Sequence, residues 1–119
     1  MHNLISEVKI LSQLKHPNIV RHICTVPDRA NGRFDILLEK VQGGSLNSIL
    51  HKFGPFSETI TRIYLYQIVK GLTYIHSQRI VHRDIKCANI LIDSNAKIKI
   101  SDFGAARWVE GNVDGGFDH

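Results

Sequence analysis

Two polar loops held between short β-forming runs set the tightest limits on how this chain folds. The stretch His82 to Asn89 follows the apolar pair Ile80-Val81 and precedes Ile90 to Ile92; a second polar stretch, Asp93 to Ala96, separates that triplet from Lys97 to Ile100. Runs this short, rich in isoleucine and bounded by turn formers, read as strands. Strands on both sides fix the ends of each loop, and chemistry is usually carried by loops held in this way. Ahead of them, Ile60, Ile63, Tyr64, Ile68, Leu72 and Ile75 recur at helical spacing, with Ser57 placed as the cap and the pattern running to about Ser77. Gly71 inside this longest helix costs about 1 kcal/mol relative to alanine, which points to close packing at that position.

The first half of the chain carries a different pattern. Leu4, Val8, Leu11 and Leu14, with Ile5 and Ile10 beside them, make an amphipathic helix that His16-Pro17-Asn18 ends. Ile19, Val20 and Ile23 then read as a strand, Pro27 to Arg33 as a turn containing the hairpin signal Asn31-Gly32, and Phe34 to Leu38 as an antiparallel partner strand. Gly43-Gly44 breaks that strand, and Ser45 caps a short helix through Leu46, Ile49 and Leu50 to Lys52. With 119 residues, 43% hydrophobic and 22% charged, the chain has room for one globular unit at most. Its apolar runs fall far below the roughly 20 residues of a membrane helix, so no membrane partner is expected. The formal charge of +4 comes from scattered basic residues without aromatic interleaving, which argues against a nucleic-acid partner. Cys24 and Cys87 are too few for a disulfide framework and read as reduced thiols, and the seven histidines form no metal-ligand series. Met1 leads straight into the amphipathic stretch, with no secretory leader, so a cytoplasmic or nuclear location is expected. Gly111 to His119, dominated by glycine and aspartate, reads as a disordered tail.

The order of polar residues is the most specific signal. His82-Arg83-Asp84-Ile85-Lys86-Cys87-Ala88-Asn89 is followed by Asp102-Phe103-Gly104, with isoleucine at 85 where the catalytic-loop pattern of protein kinases carries leucine. By residue type alone, Asp84, Asn89 and Asp102 would be ordinary turn residues, and a lone Asp-Phe-Gly arises by chance. The ordered pair, with Asn89 in its place, decides against that reading. The chain resembles protein kinase catalytic domains, and Lys86 two residues after Asp84 resembles those specific for serine and threonine. The resemblance implies an α+β, protein-kinase-like two-lobe fold and a substrate pair of ATP and a protein bearing Ser or Thr. It implies that Asp84 accepts the proton of the substrate hydroxyl, that Asn89 and Asp102 hold Mg²⁺ against the nucleotide phosphates, and that Lys86 neutralises the phosphoryl group in flight.

Other positions carry the resemblance further. Leu38-Glu39-Lys40-Val41-Gln42-Gly43-Gly44 looks like the hinge between lobes, with Leu38 behind the adenine pocket, backbone groups of Glu39 and Val41 on the adenine, and Leu91 beneath the ring. Glu7 stands where the family places the glutamate that pairs with a phosphate-gripping lysine, although by itself it would be an exposed helical charge. His82, Phe103 and Leu11 would pack in a column linking the lobes, with His22 at a position the family gives to an apolar or aromatic residue. Arg83 would meet a phosphorylated residue, yet no Ser, Thr or Tyr lies between Gly104 and His119, so switching on by that route is not expected. The stretch from His16-Pro17-Asn18 through Gly71-Leu72-Thr73-Tyr74-Ile75-His76 to Leu91 looks most like the mitogen-activated protein kinase kinase kinases.

The resemblance covers roughly residues 3 to 108, the middle of a kinase domain: 3–42 as part of the small lobe with the hinge, 43–108 as the start of the large lobe, and 109–119 as tail. The 119 residues hold no Gly-rich phosphate loop, strand lysine or Ala-Pro-Glu, and the chain past Trp108 departs from any familiar activation segment. The isolated chain is therefore expected to be poorly soluble and inactive. The competing reading is a catalytically dead, kinase-like interaction module. Neither reading fixes the oligomeric state.

Overall fold

In the computed structural model, which describes residues 4–109, the first amphipathic run forms helix α1 (Leu4–Gln13). Ile10, Leu11 and Leu14 are at most 4% exposed, a stripe at steps of one, three and four that faces the core. After Pro17 the backbone turns extended. Ile19 bridges Ile100 in parallel; the Val20 N–H donates to the Ile100 carbonyl at 3.0 Å, and the Ile100 N–H donates to the Asn18 carbonyl at 2.8 Å.

That pairing corrects the expected first strand. Ile19 and Val20 join the distant Ile100 and not the hairpin, whose strand β1 spans His22–Asp28 and pairs antiparallel with β2 (Arg33–Leu38). The strand also runs through Pro27, which lies opposite Phe34, so the turn shrinks to residues 29–32. Proline is tolerated because, among the described residues, β1 has a strand partner along one edge only. Asn31 closes the turn through its Nδ2, which donates to Asp28 Oδ2 at 2.8 Å, and Gly32 takes the left-handed φ of 65°.

Helix α2 (Leu46–Phe53) begins at Ser45, whose hydroxyl accepts the Ser48 N–H at 3.1 Å, and α3 (Glu58–Ser77) begins at Ser57, which accepts the Ile60 N–H at 3.2 Å. Along α3, Gly71 and Ile75 are the buried positions. A Cβ at Gly71 would sit 2.8 Å from Ile100 Cδ1 and 3.2 Å from the Asn18 carbonyl, so the glycine does serve close packing. Gln67, one turn earlier, accepts the Ile98 N–H and the Asn18 amide through Oε1 and donates from Nε2 to the Ala96 carbonyl, stitching the helix to the strand beneath it.

Three short strands follow α3 and a fourth was not anticipated. β3 (Ile80–Val81) pairs antiparallel with β6 (Arg107–Trp108), and β4 (Ile90–Ile92) with β5 (Ile98–Ile100), so Lys97 falls in the turn. β6 has no periodicity to betray it, being two residues long. Ile90, Ile92, Ile98 and Ile100 are all buried, together with Ile80, Ile75, Phe103 and the inner stripe of α1, in one core. The loop His82 to Asn89 is thus held at its two ends, by β3 and β4, with His82 and Asn89 buried and the residues between them largely exposed, in the α+β arrangement expected. Both cysteines are free thiols, and no described helix is long and apolar enough to cross a membrane. The tail from Gly111 lies outside the described residues.

Candidate active site

The loop between β3 and β4 is shaped by one imidazole. His82 is 2% exposed, and the Asp84 N–H donates to its Nδ1 at 3.1 Å, which places the proton on Nε2 for donation to the Ser101 carbonyl at 2.8 Å. Its ring also meets Phe103 edge-on at 4.8 Å between centroids. His82 is therefore more than the packing residue expected from sequence: it fixes the backbone of Asp84 and ties it to the strand end at Ser101.

Asn89 does the same for the Asp84 side chain. It ends a short 3₁₀ turn, Cys87–Asn89, and is 7% exposed. Its Nδ2 donates to both the Asp84 carbonyl at 2.9 Å and Asp84 Oδ2 at 3.1 Å. Its backbone carbonyl accepts the Ser101 N–H at 2.9 Å and the Ser101 hydroxyl at 3.0 Å. Lys86 Nζ lies 3.7 Å from Asp84 Oδ1 on the more exposed side. Asp84, Lys86 and Asn89 are thus brought together by direct contact, and Asn89 is bound to the residue preceding Asp102.

Asp102 leaves β5 with a φ of 59°, a left-handed conformation that aspartate tolerates better than most residues, and Oδ1 accepts the Gly104 N–H at 3.2 Å. Phe103 is turned the opposite way and is 1% exposed. Burial of the phenyl ring against His82 anchors the turn, while the neighbouring carboxylate stays exposed. Arg83 also has a positive φ, 70°, and its Nε donates to the Ala105 carbonyl at 2.8 Å, a backbone partner that its sequence position did not suggest. Arg83 and Asp102 follow the two residues joined by the His82–Ser101 hydrogen bond, and both take the left-handed conformation that Arg79 and Ala96 also adopt elsewhere in the chain.

The chemistry of the donor set suits a hard cation. No group of three or more His, Cys, Asp or Glu residues that could hold a metal alone occurs among the described residues. Mg²⁺ needs less than that, since it is commonly held by one or two protein oxygens with phosphates and waters completing the shell. With Nδ2 committed to Asp84, Asn89 Oδ1 has no donor among the described residues, and the Asp102 carboxylate is open to solvent.

The expected hinge leaves β2 at Leu38, which pairs with His22 and is 41% exposed. Glu39 is fastened on three sides. Its N–H donates to the Arg21 carbonyl at 2.9 Å, and its Oε1 accepts the Arg21 N–H at 2.7 Å and the Lys99 ammonium at 3.0 Å. Its backbone N–H is therefore spent, which leaves the carbonyl as the group able to meet a ligand. Val41 is half-buried. Beyond it, a Cβ on Gly43 would stand 2.2 Å from the Ile92 carbonyl oxygen, so the backbone there passes over β4 at a distance that excludes a side chain. The Ile92 N–H donates to the Gly44 carbonyl at 2.9 Å, and Ser45 bridges Leu91 antiparallel, which seats Leu91, half-buried, beneath this segment. Glu7 is half-buried on α1, one turn ahead of Leu11, and Leu11 shares the core with Phe103. His22, at the other end of the expected column, turns its Nε2 to Thr25 Oγ1 at 2.7 Å within its own strand.

Sequence reasoning overlooked Lys99, Ser101 and Gly43. Alternation along β5 would have found the first two, since positions 99 and 101 share the face opposite buried Ile98 and Ile100. Gly43 was read as a strand breaker, and its close approach to β4 has no local signature.

Comparison with known proteins agrees with this arrangement. The family model for the protein kinase domain matches residues 1–116. The chain is 53% identical over 106 residues to mitogen-activated protein kinase kinase kinase ANP1 of Arabidopsis thaliana, covering 89% of this chain and 16% of that protein. It is 44% identical to mitogen-activated protein kinase kinase kinase A of Dictyostelium discoideum, over 90% of this chain and 11% of that protein. It is also 44% identical to human mitogen-activated protein kinase kinase kinase 3, over 87% of this chain and 17% of that protein. The chain thus spans less than a fifth of the length of these relatives. With the Asp84–Asn89 clamp, the buried His82–Phe103 pair and this match in hand, the chain belongs to the protein kinase domain family.

Proposed function

We propose that this chain is part of the catalytic domain of a protein serine/threonine kinase, moving the γ-phosphoryl group of ATP to a Ser or Thr hydroxyl of a protein. The observation that carries the reading is the double grip of Asn89, whose amide holds Asp84 while its carbonyl holds Ser101 next to Asp102. Phosphoryl transfer asks little covalent chemistry of the protein and much positioning and charge neutralisation. Asp84, fixed at backbone and carboxylate, is set to orient the substrate hydroxyl and accept its proton. The Lys86 ammonium beside it adds positive charge where the phosphoryl group crosses. Asn89 Oδ1 and the Asp102 carboxylate are the groups that would hold Mg²⁺, which supplies neutralisation of phosphate charge. Leu91 offers an apolar floor to the adenine, and the Glu39 carbonyl an acceptor at its edge. Similarity to the mitogen-activated protein kinase kinase kinases supports a place in such a cascade.

The test is a chimera in which this chain replaces the matching 106 residues of the Arabidopsis relative. The chimera is expected to phosphorylate a Ser/Thr protein substrate, and Asp84→Asn to lower kcat by about 10²–10⁴-fold, the range of a general base. A chimera that binds ATP without turnover supports the interaction-module reading instead.

A further inference from the structure

A cavity lined by residues of α1, the segment into β1, Glu39 and Lys99 lies away from the loop His82 to Asn89. It measures about 670 Å³ and opens between the C-terminal end of α1, the segment leading into β1, and the rear of Glu39 and Lys99. Its inner wall is the outer edge of the core, formed by Leu11, Leu14 and Ile19.

Charge at its rim is unbalanced. Lys15, Arg21 and Lys99 contribute cations, and Glu39 is the one carboxylate among the lining residues. Glu39 is already committed to Lys99 at 3.0 Å. Neither the Lys15 ammonium nor the Arg21 guanidinium has an acidic partner among the described residues. Both are nevertheless anchored at the backbone. The Lys15 N–H donates to Tyr74 Oη at 2.9 Å, and Arg21 is held through N–H and carbonyl by Glu39. Two unpaired cations on fixed backbone, over an apolar wall, form a standing positive field that a carboxylate relieves without disturbing an existing pair.

We infer that this cavity is a docking site for an acidic peptide segment, its carboxylates meeting Lys15 and Arg21 and an apolar side chain resting on the wall between them. The guanidinium fork matches a carboxylate through paired hydrogen bonds, and a cationic rim steers an acidic partner during encounter. A broad mouth with a charged rim suits a peptide better than a small molecule, whose sites are mostly enclosed and apolar. The inference does not depend on kinase activity, since the cavity reaches the proposed nucleotide site only through Glu39.

The experiment uses the full chain fused to a soluble carrier, with a short fluorescent peptide rich in glutamate and leucine as the probe, read by anisotropy. Binding is expected to weaken about tenfold or more in Lys15→Glu/Arg21→Glu and also in the milder Lys15→Gln/Arg21→Gln. It is expected to persist in Lys97→Glu, an exposed charge reversal outside the cavity, and to fall with salt. Equal affinity in the Lys15/Arg21 variants overturns the proposal. So does tighter binding of a phosphopeptide whose glutamates are replaced by glutamine, or displacement of the probe by a second copy of the chain.

Discussion

Asn89 is the residue on which the site turns, because one buried amide orients a carboxylate and its backbone fixes the neighbouring strand. Replacing it by alanine removes two hydrogen bonds to Asp84. We expect a loss of about 1–3 kcal/mol of stability, measured by denaturant unfolding, and a fall in kcat of the chimera with Asp84 still present. His16 gives a second residue-level test. Its Nδ1 accepts the Asn18 N–H at 3.0 Å, its ring lies 5.0 Å from Tyr74, and burial, with the Lys70 charge behind it, lowers its pKa below 6.5. A base whose folded pKa is depressed binds fewer protons than in the unfolded chain. Stability is therefore fully present above pH 6.5 and declines as pH falls below it, an effect that His16→Gln should flatten in pH-dependent unfolding. The structure brings Asp84, Lys86 and Asn89 into direct contact, and that they come together was legible as a motif. The double duty of His82 was not, because packing and hydrogen bonding leave the same letter in a sequence.

At the scale of elements, helices were read nearly to the residue, since Ser45 and Ser57 announce their own caps and apolar residues recur along each face. Strands fared worse. Ile19 and Val20 look like the start of a hairpin, yet pair with Ile100 some eighty residues on, and β6 is too short to show a period. Such pairings are set by tertiary contacts, which override local preference. Gly43 makes this testable. With a Cβ position 2.2 Å from the Ile92 carbonyl, Gly43→Ala should force the hinge segment off β4. The expected cost is about 1–3 kcal/mol in unfolding, with weaker nucleotide binding in the chimera; unchanged values for both would show that the segment moves freely.

Across the whole molecule, the apolar inventory is only partly used. Along α3, Ile63, Leu65, Tyr66 and Val69 are 47 to 66% exposed, and among the described residues β1 and β2 form a ladder of two strands with no further strand on either side. The unfused chain is accordingly expected to self-associate in light scattering, while the chimera, which supplies the relative's flanking sequence, stays dispersed. A monodisperse isolated chain would contradict that. The central claim concerns convergence: the side chains of residues 84, 89 and 102 surround one triphosphate. A crystal structure of the chimera with Mg²⁺ and a non-hydrolysable ATP analogue tests it most directly. The account predicts Asn89 Oδ1 and the Asp102 carboxylate on one Mg²⁺, with Asp84 facing the γ-phosphate. Nucleotide bound elsewhere, or Asn89 and Asp102 directed away from a shared ion, would contradict it.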